Sequence, residues 1–158
     1  TSSLMFGIQW DLVLKHLQVR GGLTQDELTK NSNSWENYND ATFTIENGQY
    51  TTSPSTENSL KKYTEDTSGY VENSTKLQNE SVLLTTGANS SQNCKMNIYD
   101  IAGNQYEWTL EKSTAASTPC TIRGDSYYSY GSSSPASYRH FNNTTGNGTN
   151  NSFRSALY

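Results

Sequence analysis

Hydrophobic positions at the start of the chain follow a helical period. Trp10, Val13, Leu14 and Leu17 fall at i, i+3, i+4 and i+7, which predicts an amphipathic helix over residues 8–20. Gly21-Gly22 is a natural stop, because glycine takes the left-handed conformation that closes a helix. Thr24-Gln25-Asp26-Glu27 then has the form of a capping box, in which the Thr hydroxyl and the Glu carboxylate satisfy each other's backbone amides, so a second short helix is expected to about Asn31. Residues 32–80 are polar and punctuated by Asn47-Gly48, Pro54 and Gly69, which predicts irregular loops with short strands such as Ala41–Ile45. Val82-Leu83-Leu84 reads as a buried strand, and Asn97–Asp100 and Tyr106–Leu110 as strands around a turn at Gly103-Asn104. Thr121-Ile122-Arg123 and the alternating Phe153–Tyr158 complete the strand material. Two helices beside a small antiparallel sheet with long loops make an α+β domain spanning residues 1–158.

Composition sharpens this picture. Hydrophobic residues make up 32% of the chain and charged ones 16%, with a mean hydropathy of -0.81. Low hydrophobicity implies disorder only with high net charge or few aromatics. Here the net charge is -4 and there are eleven Tyr, four Phe and three Trp, so a folded, loop-rich chain is expected. Mild acidity argues against a nucleic-acid partner, which requires a basic face. The sequence contains no transmembrane run or signal peptide, and starting at Thr1 in mid-pattern suits an excised piece of a longer protein. Cys94 and Cys120 are too far apart for a CxxC motif. Two readings stay open: a disulfide closing a loop of about 25 residues, worth about 3 kcal/mol in the chain-entropy model, or two reduced thiols. The abundance of Ser, Thr and Asn points to the outside of a cell.

The segment 125–152 departs most from the rest. Of its 28 residues, 20 are Asn, Ser, Tyr, Thr or Asp, and none is Lys, Glu, Gln, Met or Trp. Those five types fill 28 of the other 130 positions, so about six would be expected by proportion. Tyr, Ser, Gly and Asn are also the residues of antibody-like contact surfaces, where Tyr gives large amphipathic area at low entropic cost.

Three pieces carry a family resemblance. Residues 97–109 read Asn-Ile-Tyr-Asp-Ile-Ala-Gly-Asn-Gln-Tyr-Glu-Trp-Thr, Arg123-Gly124-Asp125-Ser126 follows, and Ser152-Phe153-Arg154 closes the set. In that order they resemble the signature of the formylglycine-generating-enzyme-like (sulfatase-modifying-factor) branch of the C-type lectin fold. The chain departs from it at Gln105-Tyr106, where the branch has Val-Trp, and at Asp125 and Ser152, where it has Gly. Enzymes of the branch use a close cysteine pair with copper, or three histidines with iron. Here Cys94, Cys120, His16 and His140 match neither, so no metal, no cofactor and no catalytic residue is expected.

The chain most resembles the variable proteins of diversity-generating retroelements, whose C-terminal region is rewritten at template adenines. Altering the adenines of AAC or AAT codons cannot produce the five residue types missing from 125–152. The resemblance implies a displayed contact surface of Tyr127, Tyr128, Tyr130, Ser132, Ser133, Ser134, Tyr138, His140, Phe141, Asn142, Asn143, Asn147, Asn150 and Asn151, with Pro135-Ala136 shaping the loop. It implies a scaffold of Trp108, Arg123, Gly124, Phe153 and Arg154. The planar guanidinium of either arginine is suited to hold a carboxylate bidentately, with Asp100 and Glu107 as open candidates for both. The expected role is non-enzymatic recognition of an external protein or glycan, on a bacterial surface or phage particle, with a membrane involved only through an N-terminal anchor. Two rival expectations are a formylglycine-generating-enzyme-like oxidase or degenerate relative, and the structural head of a pilin-like surface protein. Trp35–Asp40 faintly resembles calcium-lectin ligands but lies too early for that site and is read as a loop. The Asn-x-Ser/Thr sequons follow from composition alone.

Overall fold

The computed structural model describes residues 2–55, 59–65, 69–89, 91–92 and 94–157. Helix α1 spans Gly7–Arg20 and buries Trp10, Leu14 and Leu17, as the apolar spacing requires. It ends where Gly22 takes φ 77 and the Leu23 amide donates back to the Leu17 carbonyl. Helix α2, Gln25–Thr29, opens on the expected capping box: the Glu27 amide donates to Thr24 Oγ1 at 3.2 Å and the Thr24 amide to Glu27 Oε2 at 2.7 Å.

Fourteen short strands form five sheets among the described residues. The ends of the chain meet first: β1 (Ser2–Leu4) pairs antiparallel with β14 (Ser155–Leu157). β2 (Phe43–Thr44), β6 (Thr75–Lys76) and β5 (Val71–Glu72) form one three-stranded sheet. A second holds β4 (Lys61–Lys62), β3 (Gln49–Thr51) and β7 (Leu83–Leu84). β8 (Cys94–Lys95) and β9 (Ile98–Tyr99) make a hairpin.

The largest sheet runs β12 (Arg139–Asn142), β11 (Cys120–Arg123), β10 (Tyr106–Lys112), β13 (Asn151–Phe153). Its strands are antiparallel except for the parallel β10–β13 pair. The predicted last strand is therefore two, broken at Arg154, with one half in this sheet and the other on β1.

Two apolar clusters carry the fold. One joins α1 and α2 to Trp35, Tyr38, Ile101 and Ala136. The other gathers Phe43, Ile45, Tyr50, Val71, Val82 and Leu84 among the small sheets. Residues Trp35–Asp40, expected as a loop, are an irregular segment running through the interior: Glu36, Asn37 and Tyr38 are fully buried.

Gly103 explains how that segment is held. Its φ is 62, and a Cβ there would lie 2.6 Å from the Asn37 carbonyl oxygen. Next to it, Asn104 accepts from the Leu84 amide and from Asn37 Nδ2, both at 3.0 Å, and donates to the Leu84 carbonyl at 2.9 Å. One side chain thus ties β7 to the buried segment by imitating a strand's donor–acceptor pair.

The cysteines are free thiols, both half-buried. Cys94 lies opposite Tyr99 in the β8–β9 hairpin, whereas Cys120 opens β11 between Lys112 and Asn142. Separate hydrogen-bonded ladders hold them, so the reduced-thiol reading is the one observed.

Candidate functional site

The distinctive segment enters from β11 through Gly124 and Asp125, both left-handed, with φ 80 and 58. Gly124 is required there: a Cβ would lie 2.9 Å from the Ile101 carbonyl oxygen and 3.1 Å from the Trp10 ring. The Asp125 carboxylate then accepts from the Ser126 amide at 2.7 Å and from the Ser129 hydroxyl, which closes a tight turn.

From this turn to β12 the segment is held by its backbone. The Ser129 carbonyl accepts from the Asn39 amide at 2.8 Å, and the Gly131 carbonyl from the Ser32 amide at 3.1 Å. The Gly131 amide donates to Asp40 Oδ1 at 2.9 Å, and the Ala136 amide to Ser32 Oγ at 2.9 Å. The Ala136 carbonyl accepts from the Trp10 indole at 3.1 Å, and the Ser137 amide donates to the Leu28 carbonyl at 3.0 Å. These groups come from α1, α2 and the buried 32–40 segment. A backbone held in this way is satisfied independently of the solvent-facing side chains it carries.

The side chains divide accordingly. Tyr128 and Tyr130 are 49% and 50% exposed, and Ser132, Ser133, Tyr138, His140, Phe141, Asn143 and Asn147 also face solvent. Ser134, Asn142, Asn150 and Asn151 are half-buried. Pro135 and Ala136 are buried, Ala136 in the α1 cluster.

Tyr127 corrects the sequence reading, because it is 0% exposed and belongs to the interior. Its ring packs 4.2 Å from that of Tyr128, and burial pushes its hydroxyl well above the usual tyrosine range. The left-handed Asp125 reverses the chain before it, and the Tyr127 amide donates to the buried Asn104 carbonyl, so this residue points inward.

Phe153 is a second correction. Expected in the scaffold, it lies at the sheet edge with 68% of its surface exposed, and only its backbone is structural. Trp108, its cross-strand neighbour, is half-buried.

The arginines are the firmest part of the site's support. Arg154 holds Glu107, one of the two candidate carboxylates, bidentately, with Nε–Oε2 2.9 Å and Nη2–Oε1 2.7 Å. Burial raises the Glu107 carboxyl, and the Arg154 guanidinium opposes that shift. Arg123 is fully buried, and its partners are neither Asp100 nor Glu107. Nη2 donates to Asp11 at 2.8 Å and Nη1 to Glu111 at 2.9 Å, with the Trp10 ring centroid 5.5 Å from Cζ. Arg139 faces Arg123 across β11–β12 and takes the second oxygens of the same two carboxylates, each at 2.6 Å. Two like charges placed opposite each other on adjacent strands would repel. The Asp11 and Glu111 carboxylates make them instead a closed ring of four groups. Gly7 completes the fit, since a Cβ there would lie 2.3 Å from a Glu111 oxygen.

Three contributors escaped the sequence reading. Lys76 is fully buried, and its ammonium donates to the carbonyls of Tyr38, Asn39 and Ala41 at 2.6, 3.0 and 2.7 Å. Burial lowers its pKa to about 8, against the opposing pull of Asp40 and Glu80. Glu36 has its carboxyl pushed well above the usual range by burial and by Asp100, against the backbone amides of Ala102 and Ile101. Tyr106 lies outside the distinctive segment, yet its ring is 5.5 Å from that of His140. Its hydroxyl is raised by burial and then by the Asp125 carboxylate.

Among the described residues no group of three or more His, Cys, Asp and Glu is arranged to hold a metal ion, and no helix is long and apolar enough to cross a membrane. His16 on the α1 surface and His140 on β12 are not brought together. Comparison with protein-family models, with curated proteins and with solved structures found no match to the chain.

Proposed function

We propose that this chain is a non-enzymatic binding domain of C-type lectin fold that displays residues 125–152 to an external ligand, in the manner of a retroelement-diversified variable protein. The observation that carries the reading is the division within the segment. Its backbone is bonded to α1, α2 and the buried 32–40 segment, while Tyr128, Tyr130, Tyr138 and Phe141 stand exposed. Side chains placed so can vary without disturbing the fold, and exposed tyrosines supply the anchors on which contact surfaces depend. The ordered signature, the paired chain ends and the Arg154–Glu107 pair further support this lectin-type scaffold. The expected setting is the surface of a bacterium or a phage particle, where the domain could also form the head of a pilin-like protein.

The test replaces Tyr128, Tyr130 and Tyr138 together with Ala, after a ligand has been selected from immobilised surface glycoproteins. Binding is expected to disappear while Tm moves by no more than about 6 °C, since exposed substitutions change stability by less than about 0.5 kcal/mol each and about 1.5 kcal/mol in all corresponds to about 3–6 °C for a chain of this size. Tyr127→Ala, by contrast, empties an interior site and is expected to cost about 3–5 kcal/mol. Loss of folding in the triple variant would overturn the display reading. Sequencing the flanking DNA tests the diversification: a reverse transcriptase gene and a template copy differing at adenines are expected. The oxidase alternative would gain from copper or iron binding accompanied by turnover of a thiol substrate.

A further inference from the structure

A hollow of about 420 Å³ opens between the 143–150 loop and one face of the large sheet. Side chains alternate between the faces of a strand. His140 and Ile122 are cross-strand partners, as are Tyr106 and Asn151, and all four line this hollow. Asn142, Asn147 and Asn150 complete its wall, and no lining residue is acidic or a Lys or Arg. Gly146 and Gly148 leave room for the carboxamides: a Cβ at either would lie 2.6 Å from the Asn142 amide or 2.5 Å from that of Asn150.

These amides are not spent on the fold. The Asn147, Asn150 and Asn151 side chains make no hydrogen bond among the described residues, and Asn142 uses only Oδ1, accepting from the Asn143 amide. Each carboxamide offers two donors and an acceptor with two lone pairs. The tilted Tyr106 and His140 rings, 5.5 Å apart, add a flat apolar wall.

The geometry points to this hollow as a binding site for one neutral sugar ring of a glycan. Vicinal hydroxyls both donate and accept and so match a ring of carboxamides, while the C–H face of a pyranose suits the aromatic wall. The lining has no Lys or Arg to hold a phosphate, sulfate or carboxylate. A protein's apolar anchor would leave the amides buried and unpaired, which is unfavourable for each group. The volume falls within the roughly 300–1,000 Å³ usual for small-molecule sites. This inference rests on the display reading, and it assigns to one part of that surface a ligand class and to Tyr106 a contact role.

The test titrates the chain with methyl glycosides of glucose, galactose, mannose and N-acetylglucosamine, followed by saturation-transfer NMR, with N-acetylneuraminic acid and a sulfated monosaccharide as charged controls. At least one neutral glycoside is expected to bind. His140→Ala and Asn147→Ala, both exposed, are each expected to weaken it about tenfold, the ratio for losing about one net interaction, with Tm unchanged. Binding unaltered in both variants, binding of the charged controls alone, or no neutral binding where a millimolar Kd would be saturated each overturns the inference. If the glycosides fail but the Tyr128/Tyr130/Tyr138 variant still loses its selected protein ligand, only the sugar site falls. If neither glycoside nor protein ligand binds, the display reading falls with it.

Discussion

Replacing Lys76 with Met probes the link between the interior and the displayed segment. The ammonium donates to three carbonyls of the 38–41 stretch, at 2.6, 3.0 and 2.7 Å, which uses all three of its donors. Met nearly preserves the side-chain volume but donates nothing, so the buried Ala41 carbonyl loses its partner, while those of Tyr38 and Asn39 keep only the amides of Ala41 and Asn79. The orphaned carbonyl costs about 1–3 kcal/mol, and each of the two lost hydrogen bonds to the charged group about 1.5–3 kcal/mol. Against this, the variant no longer desolvates a charge, a saving of several kcal/mol in proteins. The expected net loss is about 3 kcal/mol. For a chain of this size that corresponds to a fall in Tm of about 6–12 °C.

Denaturant unfolding at pH 7, below the lysine pKa of about 8, measures the variant against the ammonium form. The effect should also be local. Asn39 and Asp40, beside the carbonyl cage, hold the Ser129 carbonyl and the Gly131 amide. Hydrogen exchange should therefore quicken at Asn39 and Gly131 before it does in α1. A Lys76→Met variant as stable as the wild type, or one with unchanged protection at those two amides, would refute the reasoning.

Three further outcomes are expected. Glu36 titrates well above its ordinary value of 4.5 in the folded chain, so the native state holds the proton more tightly than the unfolded state. Its stabilising contribution is complete below about pH 4.5 and declines as pH rises towards the raised value. The stability of wild type relative to Glu36→Gln should therefore fall as pH rises above the ordinary value of 4.5 in paired denaturant titrations, and a flat difference would contradict the shift. Arg123→Met leaves Asp11 and Glu111 short of a partner and should cost about 3–5 kcal/mol, whereas Arg139→Ala, on the exposed side of the ring, should cost about 1 kcal/mol or less. Finally, Cys94 and Cys120 should both alkylate in denaturant without reductant, giving two added groups by mass spectrometry; a mass two daltons low with none added would mean a bridge.

Features that depend on near neighbours in the chain could be read from the residues in order. The buried face of α1 follows from the positions of Trp10, Leu14 and Leu17, and the start of α2 from Thr24 and Glu27, because a helical period and a cap are contacts within a turn or two. That an arginine such as Arg154 would hold Asp100 or Glu107 could be expected from the residue types, but which carboxylate it takes required the geometry. Other features arise where distant segments meet. Arg123 finds Asp11 across 112 positions, and Lys76 reaches back 38 positions to Tyr38, so no local pattern announces either. The segment 125–137 has no regular period, so whether Tyr127 or Tyr128 faces inward depends on the left-handed turn at Asp125 and on the anchors around it. Composition marked the segment as unusual. Which of its side chains reach solvent, and that Tyr106 joins them at the hollow, follows from how the sheet and the buried 32–40 stretch pack beneath it.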